Sequence, residues 1–434
     1  MTSSQPPTPL SALRWWFTLG CISFGGPAGQ IAILHRELVE RRKWIGERRF
    51  LHALNYCMVL PGPEAQQLAT YIGWLMHGTW GGIAAGALFV LPSLVVIIAL
   101  AWAYVAFGAL PIVATILAAV KPGVVAVVVA AAARIGKRTL RGRFLPMIAA
   151  LSFAAAFVAP FPVLVAAAAL FGWLFRRWVP LPIPHFAADI SGAAFLGDND
   201  PSPAHALPSM PRSLITTSIA AILGVGGYVY LVHLANGGPG PWGEGTLRDM
   251  ASFFTGAALL TFGGAYAVLP YVFHGSVDVH HWLTAPQMLD GLALGESTPG
   301  PLIMIVAFVG YLGGVGAGSG WNDGLLAGAS GACVATFYTF LPSFFFIVVG
   351  GPWVERTRSV PAVSAPLTAI TAAVVGVILN LAFFLGRHAI IDLPSVLIAI
   401  AAGIALVRVD VSIPRVLLGC ALVGALRFAA TFAA

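Results

Sequence analysis

Phe24-Gly25-Gly26-Pro27 and Leu60-Pro61-Gly62-Pro63-Glu64 decide how this chain is read, because both motifs are written twice. Phe262-Gly263-Gly264 repeats the first and Pro299-Gly300-Pro301 the second, each 238 positions downstream. Trp44 and Trp282 keep the same register. Proline lacks an N–H and cannot continue a preceding helix, but it suits the first turn of a new one. Glycine reaches backbone conformations closed to other residues. Each motif therefore predicts a broken or re-entrant helix. Inside apolar sequence such breaks expose backbone polar groups, which a membrane tolerates only where they are buried in protein or line a cavity. Paired breaks in corresponding positions of two halves point to a transporter's binding site.

The sequence around the motifs is that of a membrane protein. Of 434 residues, 59% are hydrophobic and 9% charged, against about 25% charged in ordinary soluble domains. Residues 83–104, 110–120 with 124–133, 144–174 and 365–385 are apolar enough to span, the third of these as two crossings. The expected fold is all-α and polytopic. The net charge of +7 sits mostly in short loops, where it orients the protein, and is not read as a nucleic-acid signal. Residues 1–13 are expected to be a polar tail without the pattern of a cleaved signal peptide. Cys21, Cys57, Cys333 and Cys420 are scattered through apolar sequence without metal or disulfide spacing.

The repeat runs beyond the two motifs. Leu91-Pro92-Ser93 recurs as Leu341-Pro342-Ser343, now displaced by 250 positions, so the second half carries an insertion, placed at residues 313–323. The expected division is a first repeat over 14–179, an exposed linker over 180–212, an extra spanning segment over 213–235 and a second repeat over 236–434. Fifteen of the 23 Lys and Arg lie in the first 180 residues. They cluster in 36–49, in 134–143 and at Arg176-Arg177, whereas the counterpart of the first cluster, 274–284, has none. Cytoplasmic loops carry the positive excess, so matching loops fall on opposite faces and the repeats are expected to be inverted. The extra segment supplies the odd crossing.

The candidates for chemistry follow from the breaks. New helix N-termini at Pro63 and Pro301 offer free N–H groups and a positive dipole end, which suit an anion; the alternative is a plain kink packed against its neighbours. The glycines at 25–26 and 263–264 admit a ligand or another helix closely. Lys121 lies inside an apolar stretch, either to offset an anion's second charge or to snorkel from a helix end. Glu64 and Glu296 flank the Pro-Gly-Pro motifs and could carry a coupling proton or cap a broken helix, with Asp290 a third such group. The histidines show no tight metal-ligand pattern. No dinucleotide fingerprint, haem motif or cysteine cluster is present, so neither a cofactor nor an enzyme such as an intramembrane reductase is expected. An anion channel stays as a rival, separated by uphill transport.

Residues 24–30, 35–40, Trp44 and 60–65 resemble the N-terminal half of the chromate ion transporter family, and residues 260–268 and 290–302 resemble its C-terminal half. The resemblance is to the long, two-domain form and covers nearly the whole chain. It implies chromate efflux from the bacterial cytoplasm across the inner membrane, conferring resistance, with sulfate as a competing or exchanged anion; a transporter of the same fold that moves sulfate or another oxyanion is the alternative. Carried over residue by residue, it implies a substrate site at Phe24, Gly25, Gly26, Pro27, Pro61, Gly62, Pro63, Gly263, Gly264, Thr298, Pro299, Gly300 and Pro301, with Glu64 and Glu296 beside it. Ala265 departs from the pattern, since a glycine is more often expected there. The expected partners are the anion and membrane lipids, with no nucleic acid; a homodimer is left open.

Overall fold

Proline and glycine set most of the helix ends. The structure, a computed structural model, describes residues 7–24, 26–175, 194–198, 200–236, 246–262, 264–316, 324–357 and 364–433. Gly25, Gly263, Arg176 and Arg177, part of the expected linker and part of the expected insertion lie outside the described residues. Helix α1 (Pro9–Ile22) starts at a proline and is capped by the Thr8 side chain, which accepts from the Ser11 N–H. It therefore takes in the last residues of the stretch expected to be tail. Helix α2 (Gly26–His35) follows the first glycine break and runs into a π-helical turn at Arg36–Arg41. Helix α3 (Glu47–Val59) stops before Pro61 and α4 (Glu64–Phe107) starts after Pro63.

Then come α5 (Pro111–Thr139), α6 (Phe144–Ala155) and α7 (Phe161–Leu174). The expected extra segment forms α8 (Met210–Ala221) and α9 (Gly227–Asn236), joined by a π-helical turn. The second half repeats the order with α10 (Thr246–Leu260), α11 (Ala265–Phe273), α12 (Ala285–Ser297), α13 (Ile305–Gly316), α14 (Gly324–Thr357), α15 (Ser364–Ala389), α16 (Leu393–Val407) and α17 (Ile413–Ala433). Among the described residues six helices are long and apolar enough to cross a membrane, and none of the structure is strand. The protein is an all-α, multi-pass membrane protein.

The repeat holds down to single dihedrals. The π-helical turn at Arg36–Arg41 recurs at His274–Val279, and Lys43 and His281 share a φ of 52°. Helix α4 also turns back on itself. His77 and Gly78 leave helical geometry, Gly78 with a φ of +69°. The legs on either side then lie antiparallel: Gly73 packs on Gly81 and Ala85, and Gly82 and Gly86 pack on Thr70. In the second half α13 and α14 are the same hairpin, with Gly310 against Gly331 and Gly314 against Ala327. Small residues permit this closeness, and close packing is what holds helices together in lipid. The two halves interlock as well. Helix α5 packs on α16 and α17 of the second half, α15 packs on α6 and α7 of the first, and α5 and α15 pack on each other.

Candidate functional site

At both glycine breaks the chain turns back on itself. After the tip at Gly26, the chain returns to α1: the Arg42 guanidinium lies 4.5 Å from the Trp15 ring centre and 5.3 Å from that of Trp44. Trp44 in turn packs on Trp16. In the second half Trp282 returns to Phe253 and Phe254 of α10. The two tips meet, with Gly264 beside the Pro27 ring. Gly26 and Gly264 have φ values of +72° and +101°.

The Pro-Gly-Pro tips cross between halves. The Gly62 N–H donates to the Thr261 carbonyl at 2.8 Å, and the Gly300 N–H donates to the Ser23 carbonyl at 2.7 Å. Gly62 and Gly300 occupy equivalent positions, as do Ser23 and Thr261, so the two bonds are one bond repeated about a pseudo-two-fold axis. Both glycines have positive φ, +123° and +107°. A side chain at either has nowhere to go. At Gly62 it would strike Ser343 Oγ and Gln67 Nε2, and at Gly300 it would strike Ser93. Ser93 and Ser343 are the last residues of the repeated Leu-Pro-Ser motif, so each half presses its serine on the other half's tip.

Side chains complete the junction. Gln30 Nε2 donates to the Gly300 carbonyl at 2.6 Å. Gln67 Nε2 donates to the Pro61 carbonyl at 2.7 Å and to Ser343 Oγ at 3.2 Å. Ser23, Gln30, Gln66, Gln67, Ser93, Thr261 and Ser343 are all buried. Residues 23, 30, 67, 93, 261 and 343 were not among the residues expected to form the site. The repeated Leu-Pro-Ser was the one sequence signal for two of them.

The expected ionisable residues are placed differently. Lys121 Nζ lies 3.3 Å from Asp290 Oδ2, and the Tyr104 hydroxyl donates to the same oxygen at 3.0 Å. The cation expected to face the anion is thus committed to a carboxylate of the other half. The Tyr266 hydroxyl donates to Glu296 at 2.6 Å, within the second half. Glu64 is half-buried at the first turn of α4. Thr298 is buried, its hydroxyl donating to the Gly295 carbonyl at 3.0 Å. Phe24 remains exposed beside the first tip. Of the expected site residues, the structure brings Pro27, Pro61, Gly62, Gly264 and Gly300 into the junction.

The duplication seen in the fold is also present in the sequence comparisons, where one family profile matches a stretch in each half. The profile of a family described as chromate transporter matches residues 10–173 and 248–425. The chain belongs to the chromate transporter family. The chromate transport protein of Cupriavidus metallidurans is 28% identical over 98% of both chains. That of Pseudomonas aeruginosa is 32% identical over 87% of this chain and 82% of its own. A probable chromate transport protein of Synechococcus elongatus is 28% identical over 95% of this chain and 94% of its own. No solved structure matches the chain. The two matched stretches in this chromate transporter family member leave out residues 174–247, which include α8 and α9.

Proposed function

We propose that this protein exports chromate from the bacterial cytoplasm across the inner membrane and thereby confers chromate resistance. The observation that carries the reading is the crossed pair of tips, where Gly62 and Gly300 each bond to the opposite half. A tetrahedral dianion is bound where the tips converge, between helix N-termini whose dipoles favour negative charge. Rocking of one half against the other then alternates access to a fixed central site. Glu64 or Glu296 carries the coupling proton, or exchange with sulfate takes its place. In this reading the repeats are inverted and Lys121 with Asp290 fastens the halves.

The test is chromate uptake into inverted membrane vesicles at a fixed pH gradient, with and without excess sulfate. Wild type accumulates chromate against its gradient, and Gly62→Ala and Gly300→Ala do not, although both still insert. Flux that equilibrates without accumulation would move the protein to the channels. Uptake of sulfate with no uptake of chromate would change the substrate and leave the site in place.

A further inference from the structure

We infer that the anion is held at one tip of the pair, by the hydroxyls of Ser23 and Ser93 and the amide of Gln30 around Gly300. The inference rests on the proposed transport of a tetrahedral oxyanion and adds which half binds it and through which side chains.

The pseudo-symmetry supplies an internal control. Four hydroxyls occupy two equivalent pairs of positions at the crossed tips: Ser23 with Thr261, and Ser93 with Ser343. At the Gly62 tip both are engaged. The Thr261 hydroxyl donates to the Ala257 carbonyl at 2.7 Å, and Ser343 Oγ accepts from Gln67. At the Gly300 tip neither is. Ser23 Oγ and Ser93 Oγ are buried and have no hydrogen-bond partner among the described residues. Both serines border Gly300, Ser23 through its carbonyl and Ser93 through direct contact.

Buried hydroxyls without partners are rare, because leaving one unmade costs its full desolvation. Two at one glycine, where the equivalent pair is satisfied, mark a place that a ligand completes. The chemistry of the place selects the ligand. Both hydroxyls can donate. Gln30 Nε2 spends one hydrogen on the Gly300 carbonyl and keeps a second. The counterpart of Gln30 in the other half is Val268, which has no donor. Immediately after Pro301 the apolar helix Leu302–Gly316 begins, its positive end directed at the same tip. Three neutral donors and a helix N-terminus, with no cation among them, suit an oxyanion that must bind and leave again.

Binding of chromate and of sulfate to the purified full-length protein tests this by equilibrium dialysis, alongside the KM for uptake into inverted vesicles. Ser23→Ala and Ser93→Ala each weaken anion binding about tenfold, the scale of a hydrogen bond to a charged group, and raise KM with little change in Vmax. Ser93→Thr, which keeps the hydroxyl, restores most of the affinity. Thr261→Val and Ser343→Ala change it less than about twofold. Thermal unfolding separates this from a structural role: a hydroxyl without a partner contributes no bond, so Ser23→Ala and Ser93→Ala melt no lower than wild type. Wild-type affinity in both serine variants would overturn the assignment, as would equal losses at all four positions. Sulfate binding with the same asymmetry, and no chromate binding, would sustain the site and overturn the chromate substrate. Binding of neither anion to wild type would overturn both.

Discussion

A methyl group at Gly62 meets Ser343 and Gln67, and one at Gly300 meets Ser93, at backbone angles that L side chains rarely adopt. Gly62→Ala and Gly300→Ala should therefore each lose about 1–3 kcal/mol of stability. Gly403→Ala and Gly419→Ala, which open onto free space, should stay within about 0.5 kcal/mol of wild type. Thermal unfolding in detergent compares the four directly. Lys121 makes the opposite kind of prediction. Its removal leaves Asp290, which is 3% exposed, as an uncompensated buried charge. Lys121→Met should cost about 3–5 kcal/mol, and most of that should return in Lys121→Met with Asp290→Leu. If the double variant is as unstable as the single one, the pair does not fasten the halves. Sequence alone isolated Lys121 as a buried cation and gave it to the substrate. Its partner is 169 positions away on α12, and no local pattern joins them.

Among elements, the re-entrant hairpins carry the sharpest test. Arg42 rests on Trp15, so the start of α1 and the turn after α2 belong to one face. Single cysteines at Ser11 and Lys43, in a background without the four native cysteines, should both react with an impermeant thiol reagent from the same side of the membrane. Labelling from opposite sides would turn the hairpin into a crossing. The breaks themselves were legible in the sequence, because proline and glycine announce them wherever they fall in an apolar run. The reversal of α4 was not. His77-Gly78 contains no proline, and residues 83–104 read as a span with nothing before them to mark a reversal until the glycine packing between the legs is seen. Ser93 and Ser343 were visible only as members of a repeat. What gives them a role is the crossing of the halves, and that is tertiary.

For the whole molecule, pseudo-symmetry places unlike chemistry at like positions. Arg42, between two tryptophans, corresponds to His280, which stacks on Trp282 and whose imidazole is pushed below its ordinary pKa by burial, with Asp249 opposing. One end carries a fixed cation and the other an imidazole that stays neutral near pH 7. With inverted repeats these ends face opposite compartments. Lys43→Cys should then label from the cytoplasm and His281→Cys from outside; labelling from one side would make the repeats parallel. The exchange of amides between Gly62 and Gly300 has its own consequence. Neither half can close its own tip, since each lends an N–H to a carbonyl that only the other possesses. A chain severed between α7 and α8 should therefore be inert as separate fragments, yet regain transport when the two pieces are made in the same cell. Heredity would see such pieces as two genes that are useful only as a couple.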